Sequence, residues 1–171
     1  MANTYELITS YTTTGTVATV SIGSIPSTYT DLKIVISARG DRAYYYDQCW
    51  VNFNGDYTAS NYYNRTLLNQ EGTIGSGSDQ YYGIFRWAIN AASSTSNTFS
   101  NVELYIPNYS GSAQKSVSSD GVVETNGTQA YESLIAHLYN QTGAIGSVRF
   151  DAEVGNFVSG STFYLYGIKN S

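Results

Sequence analysis

Between residues 31 and 39 every second side chain is apolar. Leu32, Ile34, Ile36 and Ala38 fall on one side, and Lys33, Val35, Ser37 and Arg39 on the other. A period of two belongs to the β-strand, whose successive side chains leave opposite faces, and it does not map onto one stripe of a helix. The pattern recurs along the chain. It covers Val20 and Ile22 within 16–23, and Cys49, Val51 and Phe53 set against Trp50, Asn52 and Asn54. It returns over 62–68, in Phe85, Trp87 and Ile89 within 81–89, and in Val102, Leu104 and Ile106 up to Pro107. A weaker strand is predicted over 115–125, and later ones at Val148, Phe150, Ala152 and Val154 and around Phe163 and Leu165. Glu132 to Tyr139 fits both periods, and its β neighbours tip it toward strand. Asn69 to Gln80 has no periodicity and reads as a loop, whereas Asn54-Gly55-Asp56 has the chemistry of a hairpin turn. About nine or ten strands without a clear helix predict an all-β chain, an antiparallel two-sheet β-sandwich with jelly-roll topology. No fixed repeat points to a propeller or β-helix.

A chain of 171 residues has the length of one domain and can bury roughly 70% of its unfolded surface without covalent staples. Residues 15–171 are expected to form the sandwich. Residues 1–14, weakly patterned, are expected to act as an arm reaching a neighbour. Cys49 is the single cysteine, which excludes an internal disulfide and a cysteine-based metal cluster. Charged residues are only 12% of the chain, about half the usual share, and polarity comes instead from Ser, Thr, Asn, Gly and seventeen Tyr. A formal net charge of −5 with scattered basic residues argues against a nucleic-acid partner. No apolar run has the ~20 residues of a membrane span. Met-Ala-Asn-Thr-Tyr-Glu at the start has neither the basic nor the apolar region of a secretory signal. Low charge without a signal suits a protein made in a cytoplasm and then displayed outside it, as a virus particle component is.

Catalysis finds little to work with. His137, the single histidine, alternates with apolar residues and is expected to be structural. No Gly-x-Ser-x-Gly elbow surrounds any serine, and one His with one Cys cannot build a zinc site. Asp41, Asp47, Asp56, Glu71 and Asp79 could pair as acids or hold calcium, but they read better as solvated loop charge. Gly72, Gly75 and Gly77 lack the Lys-Thr and helix of a phosphate cradle. The Asn-x-Ser/Thr triplets at Asn64, Asn108, Asn126 and Asn140 read as composition. The expectation is therefore no enzyme, no catalytic residue, no metal and no cofactor.

The remaining signal is aromatic: Tyr44-Tyr45-Tyr46, Tyr62-Tyr63 and Tyr81-Tyr82. Neighbours in a strand point to opposite faces, so each run should send at least one ring to a surface. These seven tyrosines are the candidate interface or ligand contacts. They could anchor subunits or stack on sugars.

Three segments taken together carry a resemblance: SIPSTYTDLKIVISARGDR (24–42), VNFNGD with SNYYNRTL (51–56 and 60–67), and VGNFVSGSTFYLYGIKNS (154–171). They resemble the small β-sandwich virion proteins of tailed bacteriophages, especially those of marine bacteria and cyanobacteria. The likeness covers most of the chain and is weakest between 69 and 130. It implies a structural component on the particle exterior, foremost a capsid decoration or cement protein, seated as a homotrimer on the major capsid protein. The alternative is a tail-fibre or receptor-binding module that recognises host glycans through loops 40–48 and 56–64. The family supplies no catalytic residues to carry over.

Overall fold

The computed structural model describes residues 4–126 and 129–169, with the backbone alone at 84–87. Twelve strands lie among them: β1 (Tyr5–Thr12), β2 (Thr19–Ile22), β3 (Asp31–Ala38), β4 (Tyr46–Phe53), β5 (Tyr62–Gln70) and β6 (Thr73–Gln80), then β7 (Ile84–Asn90), β8 (Ser100–Ile106), β9 (Lys115–Glu124), β10 (Ala130–Tyr139), β11 (Val148–Ala152) and β12 (Thr162–Ile168). A single 3-10 turn, Ala59–Asn61, is the one helical element among the described residues. The strands form an eight-stranded sheet, ordered β1-β12-β3-β8-β9-β10-β5-β6, and a four-stranded sheet, ordered β2-β11-β4-β7. All the ladders are antiparallel. From β2 to β5 the chain passes between the sheets at every step, while β5–β6 and β8–β9–β10 continue within the large one, and the result is the two-sheet sandwich of jelly-roll type that was expected.

The alternation explains the packing. Leu32, Ile34 and Ile36 of β3 are fully buried, as are Cys49, Val51 and Phe53 of β4, Phe150 of β11 and Phe163 of β12. These side chains from both sheets belong to one hydrophobic cluster. Burying each large apolar group contributes about 1.5–3 kcal/mol, so the cluster is the main source of stability. The segment Glu132 to Tyr139, open to two periods in sequence, is strand β10, with Ile135, His137 and Tyr139 inward.

Two stretches differ from expectation. Residues 69–80 are not a loop. Gln70 pairs with Thr73 across a two-residue turn whose Glu71 and Gly72 have φ of 54° and 82°, and β6 then runs back along β5. Both central residues in the left-handed region make this the turn favoured in tight hairpins. The arm expected over 1–14 is a strand instead: Tyr5–Thr12 pair with β12, with a register shift between Leu7 and Thr9. Residues 1–3 lie outside the described residues. β1 and β6 are the two edges of the large sheet, and every side chain of β6 is exposed. A strand exposed on both faces has no reason to alternate, so periodicity could not reveal either. Conversely, Asn54 and Gly55 do form a left-handed turn, with φ of 54° and 67°, but it leads from β4 in one sheet to β5 in the other and closes no hairpin.

Candidate functional site

The three tyrosine runs meet three fates. Tyr44 and Tyr45 sit in a bend before β4, so the alternation rule does not separate them, and the rings of Tyr44, Tyr45 and Tyr46 gather. Their centroids lie 4.1 to 5.3 Å apart, and the Arg42 guanidinium covers Tyr44 and Tyr46 at 5.2 and 5.7 Å. Tyr131 of β10 joins them, 4.7 Å from Tyr46, with its hydroxyl 3.1 Å from that of Tyr45. Burial pushes the Tyr131 phenol up to about 12 and raises that of Tyr45 as well, so both stay protonated at neutral pH.

Tyr62, one of the seven candidate contacts, is fully buried. It stacks on Tyr139 at 4.9 Å, and its hydroxyl donates to the Asp56 carbonyl at 2.9 Å, so it serves the core and meets no partner. Tyr63 is half-buried on the opposite face, as strand geometry requires. Tyr81 packs on Trp50 at 4.4 Å, whereas Tyr82 is exposed. Side-chain placements of Phe85 and Trp87 lie outside the described residues.

Loops 40–48 and 56–64 do not converge. The first reaches Tyr131 and the second reaches Tyr139, at opposite ends of β10 and so roughly 26 Å apart.

The large sheet runs on past β7, the edge of the small one, and a cleft of about 330 Å³ opens there. Tyr131 and Ser133 of β10, Thr66 and Leu68 of β5 and Gly75 and Gly77 of β6 form one wall. Tyr46 and Gln48, which alternate with the buried Asp47 and Cys49 of β4, form the other with Ala88. The Gln48 Oε1 atom is buried there without a hydrogen-bond partner. Asp79 is the one carboxylate in the lining, and no lysine or arginine contributes to it. Sequence reading singled out Tyr46 but missed Gln48 and Tyr131, because isolated residues in alternating strands carry no local signal.

From Asp79 in the cleft lining a polar chain runs along the inner face of the sheet into the interior. Asn64 Nδ2 donates to Asp79 Oδ1 at 2.9 Å, Asn64 Oδ1 lies 2.7 Å from His137 Nδ1, and His137 Nε2 lies 2.6 Å from Ser119 Oγ. Ser119 and His137 are 2% and 3% exposed, so this serine–histidine pair is sealed from any substrate. Burial lowers His137 to about 3, too weak for a general base at neutral pH. The other carboxylates considered as catalytic hold turns. Asp47 accepts from the amides of Gln48 and Gly155 at 2.8 Å, and Asp41 from the amide of Asn156 at 2.7 Å. Asp56 accepts from the Thr58 amide at 2.9 Å and Asn61 Nδ2 at 2.8 Å. Burial pushes its carboxyl up, but these bonds outweigh it and leave the group below the usual carboxylate range. Among the described residues no three His, Cys, Asp or Glu converge as metal ligands would.

The opposite face of the large sheet is uncovered. On it Leu67 (52% exposed) lies beside Leu134 (58% exposed) in direct register, with Val122 and Ile74 close by and Tyr105 further along. Asp120 stands opposite Leu134 on this face and Glu132 opposite Val122, and Lys33 and Glu103 form an ion pair at 2.7 Å on β3 and β8.

No protein-family model matches the chain, and no curated protein does. Among solved structures, the crystal structure of galectin LEC-6 from Caenorhabditis elegans is similar at 10% identity, over 94% of this chain and 96% of that one, with a TM-score of 0.35. A likeness that distant carries no argument about what this chain binds.

Proposed function

We propose that the chain is a structural component of a tailed-phage particle, a capsid decoration protein that seats on the major capsid protein and associates with copies of itself, foremost as a trimer. The observation that carries the reading is the uncovered face of the large sheet, where Leu67, Leu134, Val122 and Ile74 are exposed together. Clustered exposed apolar side chains mark docking surfaces, since burying them gains free energy, and Asp120, Glu132 and Arg65 on the same face supply charges that a partner has to match. The resemblance of residues 24–42, 51–56, 60–67 and 154–171 to phage virion proteins supplies the partner class. A second reading, a receptor-binding module for host glycans, is favoured by the cleft beside Tyr46 and Tyr131. Antibody-gold labelling of particles together with copy counting separates the two. Label over the head at hundreds of copies is the expected result. About a dozen copies at the tail would select the receptor-binding reading, and absence from the particle would end both.

A further inference from the structure

We infer that the cleft between the inner face of β10, β5 and β6 and the outward face of β4 is a binding site for a neutral hexose unit of a glycan. The inference deepens the receptor-binding reading and is independent of the exposed docking face on the other side of the sheet.

The space is built by omission. Gly75 and Gly77 stand on the inner face of β6, where inward side chains would otherwise fill the hollow. A Cβ added at either meets nothing within 4 Å, and neither residue has the positive φ that would itself demand glycine. Backbone geometry therefore does not account for these glycines, and an open cleft does. At about 330 Å³ the cleft falls within the range of small-ligand sites.

Its chemistry selects the ligand. Tyr46 offers a ring held in place by Tyr44, Tyr45, Tyr131 and Arg42, so ordering it on binding loses little entropy. A pyranose presents an apolar C–H face to such a ring and hydroxyls around its rim. Gln48 and Gln70 bring side-chain amides to the two walls, and amides pair with sugar hydroxyls both as donors and as acceptors. Ser133 and Thr66 add further hydroxyls across the cleft. With no cation in the lining and Asp79 at its edge, the site disfavours phosphate, sulfate and sialate. A peptide strand cannot pair with the floor, because the backbone of β5 is already bonded to β10 and β6 on either side.

The test is saturation-transfer NMR and titration of the intact chain against two panels, neutral oligosaccharides and sialylated or sulfated ones, with far-UV circular dichroism and melting temperature recorded alongside. Wild type should bind at least one neutral member. Gly77→Leu, which fills the cleft from a position with free space, should weaken that binding at least tenfold with the melting temperature kept, and Gln48→Ala should do the same. Leu134→Glu, on the outer face, should leave sugar binding unchanged even if it removes the chain from particles, so the site and the docking proposal fail separately. Silence toward every neutral sugar at about 10 mM would overturn the inference. So would binding confined to anionic sugars, or binding that a folded Gly77→Leu retains.

Discussion

His137 lies at the centre of a hydrogen-bond chain whose direction is set by Asn64. Because the Asn64 amide nitrogen donates to Asp79, its oxygen is left to accept from His137 Nδ1–H, and in the neutral ring Nε2 accepts from the Ser119 hydroxyl. Burial enforces the same state by holding the folded pKa near 3, against 6.5 for an exposed ring. A base whose pKa is lower when folded leaves the native state with fewer bound protons than the unfolded one. Stability should thus be intact above about pH 6.5 and fall as pH drops toward 3, by about 1.4 kcal/mol per pH unit. Urea unfolding at about pH 7.5 and about pH 5 reads this limb above the range where most carboxylates titrate. His137→Gln should flatten the limb while lowering stability at the higher pH. An unchanged midpoint between the two pH values in the wild type would contradict the buried, neutral ring. Alternation alone indicated that His137 faces the core, but the partners come from strands 18 and 73 residues away in sequence, and no spacing rule links them.

At the scale of the element, the turn between β7 and β8 owes its shape to one side chain. Arg39, just past the end of β3 and 9% exposed, sends its guanidinium to the carbonyls of Thr95, Thr98 and Ser94 at 2.8, 2.9 and 3.1 Å. No carboxylate appears among these bonds; carbonyl dipoles stabilise the charge, and burial lowers its pKa. Arg39→Ala would leave several carbonyls of 92–98 without donors and should cost about 2–4 kcal/mol, read by chemical denaturation. Arg39→Lys should recover only part of this, since an ammonium cannot span the same fork of acceptors. The sequence placed Arg39 on the outward side of a strand and offered no hint of this role. Strands were legible wherever one face is buried, as in β3, β4, β8 and β12, since burial writes apolar residues at every second position. The edge strands β1 and β6 were not, because water on both faces removes that selection.

For the molecule as a whole, the two faces of the large sheet have different fates. The inner face is covered by the small sheet except where β10, β5 and β6 extend past β7, which leaves the cleft. The outer face is open to solvent. Leu67 and Leu134 are more than half exposed there, so Leu67→Lys with Leu134→Glu should leave the melting temperature within a few degrees. If this face joins copies or seats on a partner lattice, sedimentation should show the wild type as an assembly, three copies being expected, and the double variant as a monomer. A wild type that sediments as a monomer at all concentrations would remove self-association from the proposal.

Residue order alone determined that this chain is all-β, where most of its strands lie, and which side of each enters the core. Those properties follow from a local rule: the strand's period of two is printed directly in the alternation of apolar and polar residues. Tertiary structure alone decided that Tyr62 is a core residue while Tyr46 lines a cleft, that Gln48 and Tyr131 join it there, and that Leu67 and Leu134 meet on an open face. Each of these depends on which strands become neighbours and where one sheet outruns the other. Strand order is chosen by the energy of the whole assembled core, which no short window of sequence contains.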